Sequence, residues 1–298
     1  MFSYRHAFHA GNHADVLKHT VVIAALKHLT QKDTALAVVD THSGAGLYRL
    51  DGDYAETSGE AANGVARLQA PAEAGAEPLA PALQDYLDMI ASFNNKGSHK
   101  VYPGSPFIMQ RLIREQDRLK LFELHPTDAK TLAANIAQLD AGRQIAVFRE
   151  DGFEGSRKFL PPPSRRGFLL CDPSYEMKSD YERVLTMVGE HMKRFATGTY
   201  AVWYPIIPRP EAHDLPRRLK TMATKAGKSW LHATLTVKSS KIITNTDGET
   251  IRPGLPASGM FLINPPHTLK AQLDAALKQL VVRLAQDKNA TSTLESGG

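Results

Sequence analysis

Four short apolar segments, separated by helical patterns, constrain the fold of this chain more than any other feature. They cover residues 35–40, 119–125, 145–150 and 167–172, and they are rich in Val, Leu, Ile and Phe without clean alternation. Such segments are typical of parallel strands that are covered on both faces. Because helical patterns lie between them, the sequence predicts an α/β fold built on a doubly wound parallel sheet.

Three further apolar segments extend this sheet to seven predicted strands. They cover residues 198–206, 230–237 and 259–264. A helix is predicted over residues 13–29, with Asn12 as its N-cap. The sequence therefore predicts a sheet with a helix ahead of its first strand.

The connection after the first strand is too long for a simple crossover, since it includes a Pro- and Ala-rich stretch of its own. We predict a small helical insertion over residues 54–99. The core would then consist of residues 1–53 and 100–288, and residues 289–298 would form a flexible tail.

Composition narrows the class of protein. No apolar run approaches the roughly 18 residues of a membrane span, and the N-terminus lacks the apolar region of a secretory signal. Cys171 is the single cysteine, which excludes an internal disulfide and agrees with a reducing compartment. These features predict a cytoplasmic protein without a membrane partner. The pI of about 9.2 is compatible with a polyanionic partner such as nucleic acid.

Acidic residues stand at or just after the ends of the four parallel strands, at Asp40, Glu123, Asp151 and Asp172. The carboxyl ends of parallel strands meet at one edge of the sheet, where α/β proteins bind ligands. Glu123 could accept hydrogen bonds from a ribose diol, and Asp151, followed by Gly152, could accept from the exocyclic amine of an adenine. A single strand-end acid is usually a solvated one, but four in register predict a binding site.

The loop after the first strand reads Asp40-Thr-His-Ser-Gly44-Ala-Gly46. Glycine at this point lets the backbone approach a ligand closely. The third glycine of the dinucleotide-binding pattern is absent, since position 49 is Arg, and no phosphate-binding Gly-x-x-x-x-Gly-Lys-Ser/Thr occurs. We therefore place Asp40 and Gly44 in a site for a nucleoside-like ligand without a pyrophosphate, and a nicotinamide dehydrogenase is the least favoured enzyme class.

The segment Asp172-Pro173-Ser174-Tyr175 indicates chemistry on an aromatic amine. The lone pair of adenine N6 is delocalised into the ring, which makes it a poor nucleophile. Two acceptors, the Asp172 carboxylate and the Pro173 carbonyl, would draw this nitrogen toward tetrahedral geometry. Tyr175 could stack on the base once the base has left its own stack. A tight Asp-Pro turn without function is the alternative for these residues taken alone.

The chain resembles the RlmJ family, bacterial S-adenosylmethionine-dependent enzymes that methylate N6 of an adenine in large-subunit ribosomal RNA. The segments that carry the resemblance are YRHAFHAGNHADVLKH, DTHSGAG, YPGSP, DPSYE and SGMFLINPP. They run from the N-terminus to about residue 266, so the resemblance covers nearly the whole chain. It implies a Rossmann-like class I methyltransferase sheet of seven strands with a helical insertion.

The resemblance also assigns roles to residues. It implies that Asp172 is catalytic, that Pro173 lends its carbonyl and that Tyr175 stacks on the target. Tyr4 and His6 match a segment that approaches the target adenine. The positions that match contacts to the methyl donor are His19, His42, Ser105, Glu123, Asp151 and Gly152, and Lys18 lies beside them. Asp172 borders both the methyl donor and the target.

Ser174 departs from the family pattern, which has a second proline at this position. A residue with a free N–H thus replaces one with fixed φ. Three alternatives stay open from the residues: a DNA adenine-N6 methyltransferase, a protein-amide methyltransferase, and a catalytically weak RNA-binding protein.

The last predictions concern metal binding, contacts with phosphates and the partners of the protein. His6, His9, His13 and His19 lack the paired spacing of zinc ligands, so we predict no metal. Basic residues at 111–120 and 217–228 would hold phosphates if they flank the mouth of the pocket. The predicted partner is ribosomal RNA, and we expect a monomer without an obligatory protein partner.

Overall fold

The computed structural model describes residues 6–51, 59–70, 77–241, 243–244, 250–251 and 254–298. A mixed eight-stranded sheet runs through the centre of the chain, in the order β12-β8-β11-β7-β6-β1-β4-β5. Its strands are β1 (Ala37–Asp40), β4 (Arg118–Phe122), β5 (Ile145–Phe148), β6 (Gly167–Cys171), β7 (Thr199–Ile206), β8 (Trp230–Thr236), β11 (Ala257–Ile263) and β12 (Thr291–Gly297). All seven predicted strands are present, which confirms the α/β class.

The order of the strands creates a switch point at β1. From β1 the chain passes to β4 and β5 on one side of the sheet, and later to β6 and β7 on the other. These five strands are parallel, and the register aligns Asp40 with Leu121 on β4 and with Leu170 on β6. The carboxyl ends of β1, β4 and β6 therefore share one edge, where a crevice forms in open α/β sheets.

Nine α-helices are present in the described ranges. They are α1 (His13–Leu29), α2 (Val65–Gln69), α3 (Pro81–Ala91), α4 (Ser105–Leu112), α5 (Pro126–Ala137), α6 (Gly152–Gly155), α7 (Ser179–Arg194), α8 (Pro210–Lys225) and α9 (Leu269–Leu284). None of these helices has the length and apolarity that crossing a bilayer requires.

Helix α1 is buried around its whole circumference. Every residue from His13 to Leu26 is buried, because α1 packs against α3, α4, α9 and β11. Asn12 caps the helix, as predicted, by accepting hydrogen bonds from the backbone N–H groups of Ala14 and Asp15. The burial includes Lys18 and His19, so these two polar side chains need partners within the protein.

Two short strands, β2 (Leu47–Arg49) and β3 (Val101–Pro103), flank the region predicted as an insertion and pair with each other in antiparallel fashion. A hydrogen bond of 2.7 Å from the Leu50 N–H to the Lys100 carbonyl continues this pairing. Helices α2 and α3 lie between the two strands in the sequence. Two further strands, β9 (Ile243–Thr244) and β10 (Thr250–Ile251), form a separate pair.

The C-terminus corrects one expectation. Residues 289–298 were predicted to form a flexible tail, but β12 pairs with β8 over its whole length and supplies the eighth strand. Side chains hold it as well: Thr293 and Thr234 join through their hydroxyl oxygens at 2.7 Å, and the Lys220 ammonium lies 3.1 Å from Glu295. The sequence TSTLESG contains one large apolar residue, and strand pairing rather than core burial holds it in place.

Candidate active site

A cavity of about 380 Å³ opens at the carboxyl edge of β1, β4 and β6. This volume lies in the range of small-molecule sites. The predicted site residues that line it are His6, Lys18, His19, His42, Gly44, Ser105, Glu123, Asp151, Gly152, Asp172 and Pro173. Three of the four strand-end acids, Glu123, Asp151 and Asp172, thus line one cavity, whereas Asp40 does not.

Glu123 follows β4 and is held by two backbone N–H groups. The Gly44 N–H donates to Oε2 at 2.7 Å, and the His125 N–H donates to Oε1, also at 2.7 Å. Burial raises the pKa of the carboxyl group above its ordinary value, while the two N–H groups oppose this shift. Each oxygen keeps a second lone pair, and the two oxygens together can accept from a vicinal diol.

Asp151 caps the short helix α6 at the edge of the cavity. Its Oδ1 accepts from the Phe153 N–H at 3.0 Å, and its Oδ2 pairs with Arg183 Nη2 at 2.5 Å. The Arg183 guanidinium also lies over the Phe153 ring, 4.3 Å from its centroid. A Cβ atom at Gly152 would stand 2.0 Å from the Thr41 carbonyl oxygen, so only glycine permits this approach of α6 to the loop after β1.

The loop after β1 forms the middle of the cavity. Gly44 has a φ of +59°, and a Cβ atom there would lie 2.3 Å from the Tyr48 hydroxyl oxygen. Burial lowers the pKa of His42 to about 4, so its imidazole is neutral near pH 7. Asp40 does not line the cavity. It is fully buried behind the loop, its Oδ2 accepts from Ser105 Oγ at 2.6 Å, and burial raises its pKa to about 7.

Helix α1 contributes buried charged side chains next to Asp172 in the cavity. Lys18 Nζ lies 2.5 Å from Asp172 Oδ2 and 2.9 Å from Asp15 Oδ1. The second Asp15 oxygen is 2.9 Å from His6 Nε2. Burial disfavours the charge on Lys18, but the two carboxylates outweigh it and raise the pKa of the ammonium group. Lys18 is therefore a permanent cation beside Asp172.

His19 presents a polar atom to the cavity that has no partner in the described part of the chain. Its Nδ1 lies 2.8 Å from the Tyr102 hydroxyl oxygen, whereas its buried Nε2 makes no hydrogen bond. Burial lowers the pKa of His19 to about 3, so the imidazole is neutral. A buried polar atom without a partner at a cavity wall fits a ligand that carries its own polar group.

Asp172 and Pro173 lie together at the end of β6, as the amine-binding arrangement requires. Asp172 Oδ2 is engaged by Lys18. Within the described ranges no hydrogen bond reaches Asp172 Oδ1 or the Pro173 carbonyl oxygen. Both residues line the cavity, so two acceptors without a partner in the described ranges stand at its wall.

Tyr175 departs from its expected role. Its side chain is buried, its ring centroid lies 4.6 Å from that of Tyr181, and its hydroxyl donates to the Trp203 carbonyl at 2.7 Å. The ring does not line the cavity, so this placement does not support stacking on the target base. Tyr175 also has a φ of +54°, which is unfavourable for an aromatic residue. Arg209 Nη1 donates to its carbonyl at 3.0 Å.

The remaining expectations have mixed outcomes. Tyr4 lies outside the described residues.

Arg118 is the first residue of β4 and thus lies at the sheet edge opposite the cavity. In the 217–228 run, Arg217, Arg218 and Lys220 pair with Asp214, Glu182 and Glu295. None of these basic residues is among the described residues that line the cavity. No cluster of three or more metal-ligating side chains occurs in the described ranges.

Sequence reasoning missed two residues that hold the site together. Arg183, which fixes Asp151, lies 32 positions away on α7, and nothing in its surroundings marks it. Asp15, which pairs with Lys18, is the second of these residues. Its spacing of three from Lys18 places both on one helix face and could have indicated the pair.

Known proteins are similar to this chain over nearly its whole length. The family described as "Ribosomal RNA large subunit methyltransferase D, RlmJ" matches residues 33–295. "Ribosomal RNA large subunit methyltransferase J" of Escherichia coli K12 is 41% identical over 284 residues, which cover 95% of this chain and 94% of that protein. The protein of the same name from Haemophilus influenzae is 39% identical over 296 residues, with coverages of 99% and 98%. A crystal structure of a Legionella pneumophila protein superposes with a TM-score of 0.83 at 30% identity, covering 97% of this chain and 99% of that one.

Proposed function

We propose a reaction for this protein on the premise that these matches establish: the chain belongs to the RlmJ family of ribosomal RNA large subunit methyltransferases. The reaction is transfer of a methyl group from S-adenosylmethionine to N6 of an adenine in large-subunit ribosomal RNA. The observation that carries the proposal is the pair of available acceptors, Asp172 Oδ1 and the Pro173 carbonyl, in the same cavity as Glu123 and Asp151.

The methyl donor fits the part of the cavity between β4 and β5. The two oxygens of Glu123 would accept from the ribose hydroxyls, since backbone N–H groups occupy only one lone pair of each. Asp151 would accept from the adenine amine, and Arg183 keeps its carboxylate oriented. Gly44 allows the close approach of the Tyr48 hydroxyl, and its N–H orients Glu123. When bound, S-adenosylmethionine supplies an electrophilic methyl group.

The target amine fits between Asp172 and Pro173. Asp172 Oδ1 and the Pro173 carbonyl would each accept one N6 hydrogen, so that the nitrogen lone pair points away from both toward the methyl donor. The new N–C bond forms as the S–C bond of the methyl donor breaks. Asp172 Oδ1 then takes the N6 proton and releases it to water. Positioning of this kind supplies much of the rate enhancement that such an enzyme needs.

Lys18 cannot serve as the base in this reaction, because Asp15 and Asp172 raise the pKa of its ammonium group and keep it charged. We propose that it fixes Asp172 instead. Its hydrogen bond to Oδ2 leaves Oδ1 directed to the target.

Methyl transfer to ribosomal RNA that lacks the modification, followed by nucleoside mass analysis, tests the proposal. The expected product is N6-methyladenosine, formed only with S-adenosylmethionine present. Parallel reactions with DNA and with protein extract test the two other methyltransferase readings. RNA binding without product in any reaction would support the base-holding alternative that Ser174 keeps open.

Further proposals accompany this function. We propose that no metal takes part, since an activated methyl group and two hydrogen-bond acceptors need no Lewis acid; activity should survive EDTA. The chain would act as a monomer, which light scattering tests. Its ribosomal substrate would place it in the cytoplasm.

We also propose that residues 54–99 are a helical insertion into a core formed by residues 1–53 and 100–288.

A further inference from the structure

Three buried side chains connect the region between β2 and β3 to the wall of the cavity. Tyr86 on α3 and Tyr102 on β3 are fully buried, and their hydroxyl oxygens lie 3.2 Å apart. Tyr102 in turn lies 2.8 Å from His19 Nδ1, and its ring stacks on the imidazole with centroids 5.7 Å apart. The other imidazole nitrogen, Nε2, is buried at the cavity and makes no hydrogen bond in the described ranges.

The hydroxyl hydrogens of Tyr86 and Tyr102 decide which nitrogen of the His19 imidazole carries the proton. If Tyr86 donates to Tyr102 and Tyr102 donates to Nδ1, each hydroxyl hydrogen has an acceptor. The imidazole proton is then on Nε2, facing the cavity. If Nδ1 carries the proton instead, Tyr102 must donate to Tyr86. The Tyr86 hydrogen then has no acceptor among the described residues, and Nε2 is a second unpaired atom.

The first arrangement leaves one unpaired group, and that group faces a site that a ligand fills. The second leaves two unpaired groups, one of them in the apolar interior between α1 and α3. A buried hydroxyl without an acceptor is strongly unfavourable, because its hydrogen bond with water is lost and not replaced. The imidazole is neutral, since burial lowers the pKa of His19 to about 3, so it carries one proton only.

We propose that Tyr86 and Tyr102 are positioning residues which hold His19 as the Nε2–H tautomer, and that this N–H binds the carboxylate of the amino-acid part of the methyl donor. This inference rests on the proposed function for the identity of the ligand. The tautomer itself follows from the three side chains alone. Glu123 and Asp151 would accept hydrogen bonds from the nucleoside part, and an N–H donor in the same cavity would complement the anionic end of the same molecule.

Nitrogen NMR on the full chain with ¹⁵N-labelled histidine tests the tautomer directly, with the His19 signals assigned by their loss in His19→Gln. Protonated and unprotonated imidazole nitrogens differ widely in chemical shift. We expect the Nε2–H form in the free protein, unchanged between pH 6 and 8. An Nδ1–H form would overturn the proposal. This measurement needs neither a methyl donor nor activity, so it stands even if the proposed function fails.

Calorimetry with two ligands tests the link to the carboxylate. Tyr102→Phe should weaken binding of S-adenosylmethionine about tenfold. Binding of 5′-methylthioadenosine, which lacks the amino-acid part, should change less than twofold. Tyr86→Phe should act in the same direction by about threefold, since Tyr102 keeps its bond to His19. Tyr200→Phe is the matched control, because Tyr200 is equally buried and, within the described residues, its hydroxyl bonds only to the His191 and Phe195 carbonyls.

Equal losses for both ligands in Tyr102→Phe would mean a merely structural role and would overturn the proposal. If Tyr102→Phe does not fold, Tyr86→Phe carries the comparison with the same two ligands. Failure of the wild-type protein to bind S-adenosylmethionine would count against the proposed function and the carboxylate assignment, while the NMR result would still decide the tautomer.

Discussion

The two halves of the cavity are organised by different parts of the chain. In the half assigned to the methyl donor, Glu123 and Asp151 each accept hydrogen bonds from backbone N–H groups next to the strand ends. In the half assigned to the target, Asp172 is held by one side chain, Lys18, from a helix 154 residues away. The first half is held mainly by backbone N–H groups, with Arg183 as the side-chain partner of Asp151, whereas in the second half the contact to Asp172 comes from a side chain alone.

Removing the Asp172 carboxylate should have the largest effect on activity. Asp172→Ala deletes one of the two amine acceptors, and we expect transfer to fall by a factor on the order of 10³ or more, as for loss of a preorganised transition-state contact. Affinity for S-adenosylmethionine, measured by calorimetry, should change little. Asp172→Asn keeps one acceptor oxygen and should retain more activity than Asp172→Ala. Turnover near wild type in Asp172→Ala would assign the role to another acid.

The same contrast explains how much the sequence could predict. Glu123 and Asp151 were found because strand ends of a parallel sheet meet by geometry, so a one-dimensional pattern was sufficient. The ion pair between Lys18 and Asp172 was not predicted, since no spacing rule joins these positions. Tyr175 was misplaced because the motif fixes its position in the sequence but not its backbone conformation. With φ at +54°, its ring enters the core rather than the cavity.

Loss of either carboxylate in the methyl-donor half should weaken binding without changing the acceptor chemistry. Glu123→Ala and Asp151→Ala each remove hydrogen bonds to a charged group, worth about 1.5–3 kcal/mol, or roughly a ten- to hundredfold rise in Kd. Calorimetry with S-adenosylmethionine measures this effect. Glu154→Gln is the control, because Glu154 on α6 pairs with Arg157 at the surface. Unchanged affinity in both Ala variants would remove the assignment of the methyl-donor half.

Asp40 lies between the two halves and should make stability depend on pH. Its folded-state pKa is raised to about 7 from the ordinary 3.8, chiefly by burial. The folded chain thus binds this proton more tightly than the unfolded chain. The contribution is complete below pH 4 and is lost as the pH rises through 7. Between pH 5 and 8 we expect a loss of about 2 kcal/mol from this group.

Denaturant unfolding at pH 5 and pH 8 tests this in Asp40→Asn, whose amide oxygen can still accept from Ser105. The variant should lose less stability than the wild type across that range. Asp274→Asn is the control, since Asp274 is an exposed partner of Lys278 on α9. If wild type and Asp40→Asn show the same pH dependence, Asp40 does not titrate in this window.

The smallest predicted effect concerns Arg209. This residue restrains the loop that follows Asp172, in the target half of the cavity. The Arg209 bond to the Tyr175 carbonyl is the only hydrogen bond from another segment to the backbone of residues 173–175 in the described ranges. Prolines at 208 and 210 limit the backbone on both sides of Arg209. Where the family has a second proline, this chain has Ser174, so we expect Arg209 to supply part of the missing restraint.

A double-mutant cycle separates this restraint from other roles. Arg209→Gln should lower the single-turnover rate by less than about tenfold, since a displacement of about 1 Å can cost about a hundredfold and the Tyr175 ring and hydroxyl stay anchored. Ser174→Pro alone should equal or slightly exceed wild type, because it alters neither Asp172 nor the Pro173 carbonyl. In the Arg209→Gln background the proline should recover most of the lost rate, a non-additivity expected of residues that restrain one loop. Arg217→Gln is the matched control, an exposed arginine on α8 that pairs with Asp214. Strictly additive effects, or weaker RNA binding at an unchanged rate in Arg209→Gln, would show that Arg209 contacts the RNA rather than holding the loop.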